Sequence, residues 1–145
     1  MKNGGKTAAI LFVLLSTITQ GATMQHACRP VPDDSMCAKM LRGIAHVESK
    51  DKDIGLHADG LSFGRYGVTR VAVDELVRVK MLDRRDVDLA DPTINAMVAR
   101  LYLLLQFERA GGSWWNAVER YHGNSDRSAN SAYAAKVWAA MDGQK

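Results

Sequence analysis

Apolar side chains recur along this chain in short helical stripes, separated by breaks rich in glycine, aspartate and proline. In the first stripe Cys37, Leu41, Ile44 and Ala45 follow one another at three- and four-residue steps, the spacing of one helix face. An irregular lead with Pro30 and Pro32 precedes it, and the Asp33-Asp34-Ser35 cluster supplies side-chain oxygens that can cap its start. The helix is expected to run to about Ser49. Residues 51–67 then carry Gly55, Gly60, Gly64 and Gly67 among several aspartates, which predicts a loop with room for a minor β-hairpin. Thr69 is the expected cap of a second helix reaching about Leu82, although Val71 and Val73 alternate as strand residues do.

The clearest helix start is Asp91-Pro92, a capping carboxylate followed by proline at the first helical position. Ile94, Met97, Val98, Leu101, Leu104 and Leu105 continue it as a stripe of helical period, and Gly111-Gly112 ends it. This is the expected central core helix, and no chemistry is assigned to it. A short helix over Ser113 to Tyr121 follows, with Trp114 and Trp115. A last one, from about Ser128 to Met141, packs Tyr133, Val137 and Trp138. The fold class is therefore all-α, in one domain.

The N-terminus has the look of an export signal. Lys2 and Lys6 precede an uncharged run from Ala8 to Ile18, and Thr19-Gln20-Gly21 offers small residues where a signal peptidase reads. Residues 1–23 are thus expected to be a signal peptide or signal anchor, and 24–145 the working domain. The run is short for a membrane span. Without Lys2 and Lys6 the formal charge of +3 becomes 17 basic against 16 acidic side chains, or +1, so the basic balance argues for no nucleic-acid partner. Cys28 and Cys37 lie nine positions apart. In an oxidising compartment they are expected to form a disulfide pinning the lead to the first helix, two buried thiols being the alternative.

Glu48 is the residue with the most chemical content. It continues the apolar row of Cys37, Leu41, Ile44 and Ala45, so its carboxyl is expected to lose hydration and hold a proton near neutral pH, as a general acid must. The alternative is a helix-end carboxylate turned to solvent.

Four segments in order carry a family likeness: Glu48-Ser49; Ser62-Phe63-Gly64-Arg65-Tyr66-Gly67-Val68-Thr69; Ala117-Val118-Glu119-Arg120-Tyr121-His122-Gly123; and Tyr133-Ala134-Ala135-Lys136-Val137. Together they resemble the soluble lytic transglycosylase family, whose domain has the goose-type lysozyme fold, over residues 35–141. The family pattern is Glu-Ser, then Gly-Leu-Met-Gln, then Ala-Tyr-Asn with a glycine, then Tyr and Lys-Val. Here Arg65-Tyr66-Gly67 stands in place of Leu-Met-Gln, and His122 in place of Asn.

The resemblance implies a lysozyme-like domain with a Gly-rich cleft loop. It implies Glu48 as catalytic acid, Tyr121 as supporting tyrosine, and substrate contacts from Ser49, Ser62, Gly64, Tyr66 and His122. It implies cleavage of the N-acetylmuramic acid–N-acetylglucosamine bond of peptidoglycan without cofactor or metal. The muramyl 6-hydroxyl attacks the anomeric carbon and leaves a 1,6-anhydro end, so one carboxyl group suffices where an ordinary glycosidase needs two. The protein is expected outside the cytoplasm, as a monomer, opening the wall locally for a secretion, pilus, conjugation or phage apparatus. The alternatives are a muramidase, with Asp51, Asp53 or Asp59 activating water, and an inactive glycan-binding scaffold. Glu75 and Glu119 are expected on solvated helix faces. Gly60, Gly64 and Gly67 lack the Gly-Lys-Ser/Thr ending of a phosphate loop. His46-Val47-Glu48 lacks the Pro-Cys-x-x-Cys partner of a zinc deaminase, and His26, His57 and His122 show no ligand spacing.

Overall fold

In the computed structural model residues 36–143 are described. The expected leader, the Asp33-Asp34-Ser35 cap and Cys28 lie outside that range, so the pairing of Cys28 with Cys37 does too. Cys37 itself is buried, and burial raises its thiol pKa against the opposing pull of Arg100. The elements in order are α1 (Met36–Ser49), β1 (Ser62–Phe63), β2 (Val68–Thr69), α2 (Arg70–Arg78), α3 (Pro92–Arg109), α4 (Trp114–His122) and α5 (Arg127–Asp142). The two strands pair antiparallel, Ser62 opposite Thr69 and Phe63 opposite Val68, which makes the Gly-rich loop a small hairpin on an all-α body.

Most boundaries follow from local hydrogen bonding. Asp91 accepts from the N–H groups of Thr93 and Ile94 at 2.8 and 2.9 Å, with Pro92 in the first turn. Gly111 closes the same helix in the left-handed region, and the Gly112 N–H reaches back to the Phe107 carbonyl. Ser113 caps α4 and Asp126 caps α5. The second helix is shorter than its apolar pattern predicts. Lys80 turns left-handed (φ 61°) and the Met81 N–H bonds the Leu76 carbonyl, ending α2 at Arg78 rather than near Leu82. Thr69 does cap it, accepting from the Ala72 N–H, and Val71 and Val73 lie inside the helix.

Helix α3 is central, touching α1, α2, α4 and β2. Neighbours on several sides explain why its buried residues exceed the expected stripe. Val98 and Leu105 are buried as expected, while Ile94, Met97, Leu101 and Leu104 are half-buried. Asn95, Ala99, Leu103 and Gln106 are buried in addition. Helices α1 and α5 meet closely at Gly43, where an added Cβ would lie 2.6 Å from the Val137 carbonyl oxygen and 3.0 Å from Val137 Cγ1. Glycine inside a helix costs about 1 kcal/mol relative to alanine. Here that cost admits a close approach of two helices.

Gly43→Ala is expected to destabilise the protein by about 1–3 kcal/mol, because the overpacking against α5 outweighs the gain in helix propensity. Denaturant unfolding measures it, and a variant as stable as the parent would show that α1 and α5 can separate at no cost.

Candidate active site

The α1–α5 contact brings the end of one helix to the middle of the other. Glu48, the penultimate residue of α1, is half-buried, and its Oε1 accepts a hydrogen bond from the Tyr133 hydroxyl of α5 at 2.6 Å. Its Oε2 faces the hairpin backbone, where a Cβ on Gly67 would lie 2.4 Å away. Gly67 has φ 60°, so both backbone conformation and space require glycine there. The Tyr121 hydroxyl, on α4, donates to the Tyr66 backbone carbonyl at 2.9 Å and so ties α4 to the same loop.

These groups wall a cleft of about 540 Å³, lined by Glu48, Asp59, Ser62, Gly67, Tyr102, Tyr121, His122, Tyr133 and apolar neighbours. The His122 ring stacks on Tyr133, with centroids 4.4 Å apart and planes 19° from parallel. The Asn130 side-chain oxygen already accepts the Asn124 N–H, so the His122 Nδ1, 2.9 Å from that oxygen, carries the proton. Val71, 71% exposed, forms an apolar part of the rim.

Of the residues predicted from sequence, Glu48, Tyr121, Ser62 and His122 therefore meet in one cleft. Three others are placed elsewhere. The buried Ser49 hydroxyl donates to the Ala45 carbonyl of its own helix at 3.0 Å. Gly64 is buried against the Asn95 side chain, where an added Cβ would lie 2.3 Å from its amide. The Tyr66 side chain lines a separate hollow of about 230 Å³ with Asp53, Arg65 and Thr93, and its backbone carbonyl alone reaches the site. Asp51 is bonded to His46 and Asp53 to Arg65, and neither lines the cleft. Asp59 does line it. The N–H groups of Ser62 and Leu61 and the Ser62 hydroxyl lower its pKa to about 2, so it is ionised across ordinary pH.

Two residues at the site were not predicted to act there. Tyr133 was expected to pack the last helix, and its motif match with Lys136-Val137 was the one sequence signal pointing to more. Asn95 had no signal, because a polar residue inside an apolar stripe reads as an interruption. It has no exposed surface. Its amide donates to the carbonyls of Phe63 and Leu89 at 2.8 and 3.0 Å and accepts from the Tyr66 N–H at 3.2 Å, fastening the hairpin to α3.

No protein-family model matches this chain, and no curated protein and no solved structure matches it either.

The cleft phenols stay protonated, as hydrogen-bond donors, through the neutral range. Burial first, and the Glu48 charge second, raise the pKa values of Tyr121 and Tyr133 well above 10. Burial and Glu75 push Tyr102 to about 12, and burial raises Tyr66. Folded values above the unfolded value of about 10 mean stability present below pH 10 and lost as pH rises through the folded values. Tyrosinate absorbance is therefore expected to stay low near pH 10 and to rise with loss of helical circular dichroism towards pH 12 and above. Two or more tyrosines ionising near pH 10 with helicity intact would contradict this arrangement.

Proposed function

We propose that this protein is an exported lytic transglycosylase of lysozyme-like fold, which cleaves peptidoglycan glycan strands with Glu48 as the acid and base. The observation that carries the reading is the Glu48 carboxyl, fixed between the Tyr133 hydroxyl and the Gly67 backbone in a cleft of ligand size. The order of the four motif segments supports it, since residues from all four surround one cleft. Five helices with α3 central, and a hairpin loop beside Glu48, suit a goose-type lysozyme-like domain.

In this reading the protonated Glu48 donates to the glycosidic oxygen and the C1–O bond breaks. The muramyl 6-hydroxyl then attacks C1 and returns its proton to the carboxylate, closing the 1,6-anhydro ring. Tyr133 holds the Glu48 side chain in place through this cycle. Tyr121 holds the hairpin through the Tyr66 carbonyl and presents its oxygen at the cleft wall, where developing positive charge on the sugar is stabilised. The family glutamine has no counterpart, because a side chain at residue 67 would occupy the space of the Glu48 carboxylate. The protein would act where peptidoglycan lies, in the periplasm or beyond, as a small monomer serving local wall opening.

One observation favours a second reading. Asp59 shares the cleft and stays ionised, as a base for water would, so hydrolysis of the same bond is the alternative. Its oxygens are already engaged by Leu61 and Ser62, which fits turn-making better than catalysis.

Purified sacculi treated with the mature protein should release 1,6-anhydromuramyl ends by mass spectrometry. Reducing ends would favour the muramidase, and no release would leave a glycan-binding scaffold. Glu48→Gln is expected to lower turnover by about a hundred- to ten-thousand-fold with the unfolding midpoint nearly unchanged. Substantial remaining activity would remove Glu48 from the mechanism. Tyr121→Phe is expected to cost roughly ten- to a thousand-fold in turnover, and Tyr133→Phe a loss of the same order, from looser aim of Glu48. Full activity of either variant in the same assay would reduce that tyrosine to packing.

A further inference from the structure

A second, more polar basin of about 390 Å³ adjoins the Glu48 cleft, and Tyr102 and Gly123 line both. Three guanidinium groups, of Arg109, Arg120 and Arg127, border it together with the carboxylates of Glu75 and Glu119. Both carboxylates are occupied. Glu75 is paired with Arg109 and Arg78 and is bonded by Tyr102, which belongs to both hollows. Glu119 accepts from the Trp115 indole N–H and the Ser131 hydroxyl. Arg120 and Arg127 are exposed and have no ion-pair partner among the described residues.

The place of Arg127 is informative. It is the first residue of α5, where the helix dipole presents positive charge and a cation is disfavoured. Helix stability gives no reason for arginine there. Asn124, beside it, lines the basin and accepts the Asp126 N–H on its side-chain oxygen. Asn130 bonds both the N–H and the carbonyl of Asn124, so the turn that carries these groups is held in shape.

We propose that this basin is a subsite for the carboxylates of the stem peptide borne by the glycan strand, with Arg120 and Arg127 as the residues that select peptide-bearing over peptide-free strands. The inference rests on the reading of the Glu48 cleft as a peptidoglycan site. The lactyl group that carries the peptide is attached to the same muramyl ring whose anomeric carbon reacts, so a hollow that shares Tyr102 and Gly123 with the cleft lies within the peptide's reach. Guanidinium forks match carboxylates in bidentate geometry, and a strand stripped of its peptides keeps only the lactyl carboxylate close to the ring, short of the basin.

The test compares the parent with the Arg120→Ala/Arg127→Ala double variant on two substrates, intact sacculi and glycan strands stripped of peptides by an amidase. The double variant is expected to lose roughly three- to thirty-fold in kcat/KM on peptide-bearing strands, with little change on stripped strands. Equal losses on both, or none on either, would overturn the subsite. A binding arm separates this outcome from failure of the cleft reading. Glu48→Gln protein should bind a disaccharide-tetrapeptide more tightly than the peptide-free disaccharide, and the difference should vanish when both arginines are also replaced. That preference, found without any turnover by the parent, would keep the subsite and discard the enzyme. Equal binding of the two ligands would discard the subsite whatever the turnover.

Discussion

The site depends on one buried amide. Asn95 sits on the central helix with no exposed surface, and its side chain bonds two backbone carbonyls and one backbone N–H. Leaving such groups unpaired away from water costs about 1–3 kcal/mol each. The hairpin is only two residues per strand, too small to hold its own shape. Asn95 therefore fixes Phe63, Gly64 and Tyr66 against α3, and that placement puts Gly67 under the Glu48 carboxyl and the Tyr66 carbonyl within reach of Tyr121.

Small residues set the remaining geometry. Gly43 lets α1 and α5 approach until the Tyr133 hydroxyl meets Glu48, and Gly67 lets the loop backbone approach the same carboxyl from the other side. Glu48 is thus held by close approach rather than by a cation: the cleft is lined by phenols, an imidazole, hydroxyls, the Asp59 carboxylate and apolar side chains, with no lysine or arginine among the described residues. Burial suppresses ionisation of both phenols, so Tyr133 remains a donor to the Glu48 carboxyl and Tyr121 a donor to the Tyr66 carbonyl. The guanidinium groups lie further along, across Tyr102, where they border a more polar hollow.

Local rules carried the sequence a long way. Asp91-Pro92, Gly111-Gly112, Ser113 and Thr69 are caps whose bonds are made within three or four residues, and the helices begin and end where those bonds allow. Lys80 shows the limit of the same reasoning: a lysine in the left-handed region ended α2 early, because contacts around Leu76 and Met81 outweighed its backbone preference. Glu48, Tyr121, Ser62 and His122 were legible as site residues through their order along the chain. Ser49, Gly64 and the Tyr66 ring shared those segments and point elsewhere, since a motif fixes neighbours in sequence and only the fold decides which face each side chain takes.

The sequence by itself determined five helical segments, the caps at Thr69 and Asp91, an all-α class and a single carboxyl on an apolar row. Those features rest on interactions within one turn of helix or one tight loop, so they are written in contiguous residues. The tertiary structure alone decided that Tyr133 meets Glu48 across 85 positions, that Asn95 clasps a loop about thirty positions away, and that Arg120 and Arg127 border a hollow next to the cleft. Such contacts arise from how closely two helices can pack and which buried polar groups must find partners. Neither quantity exists until the chain has folded.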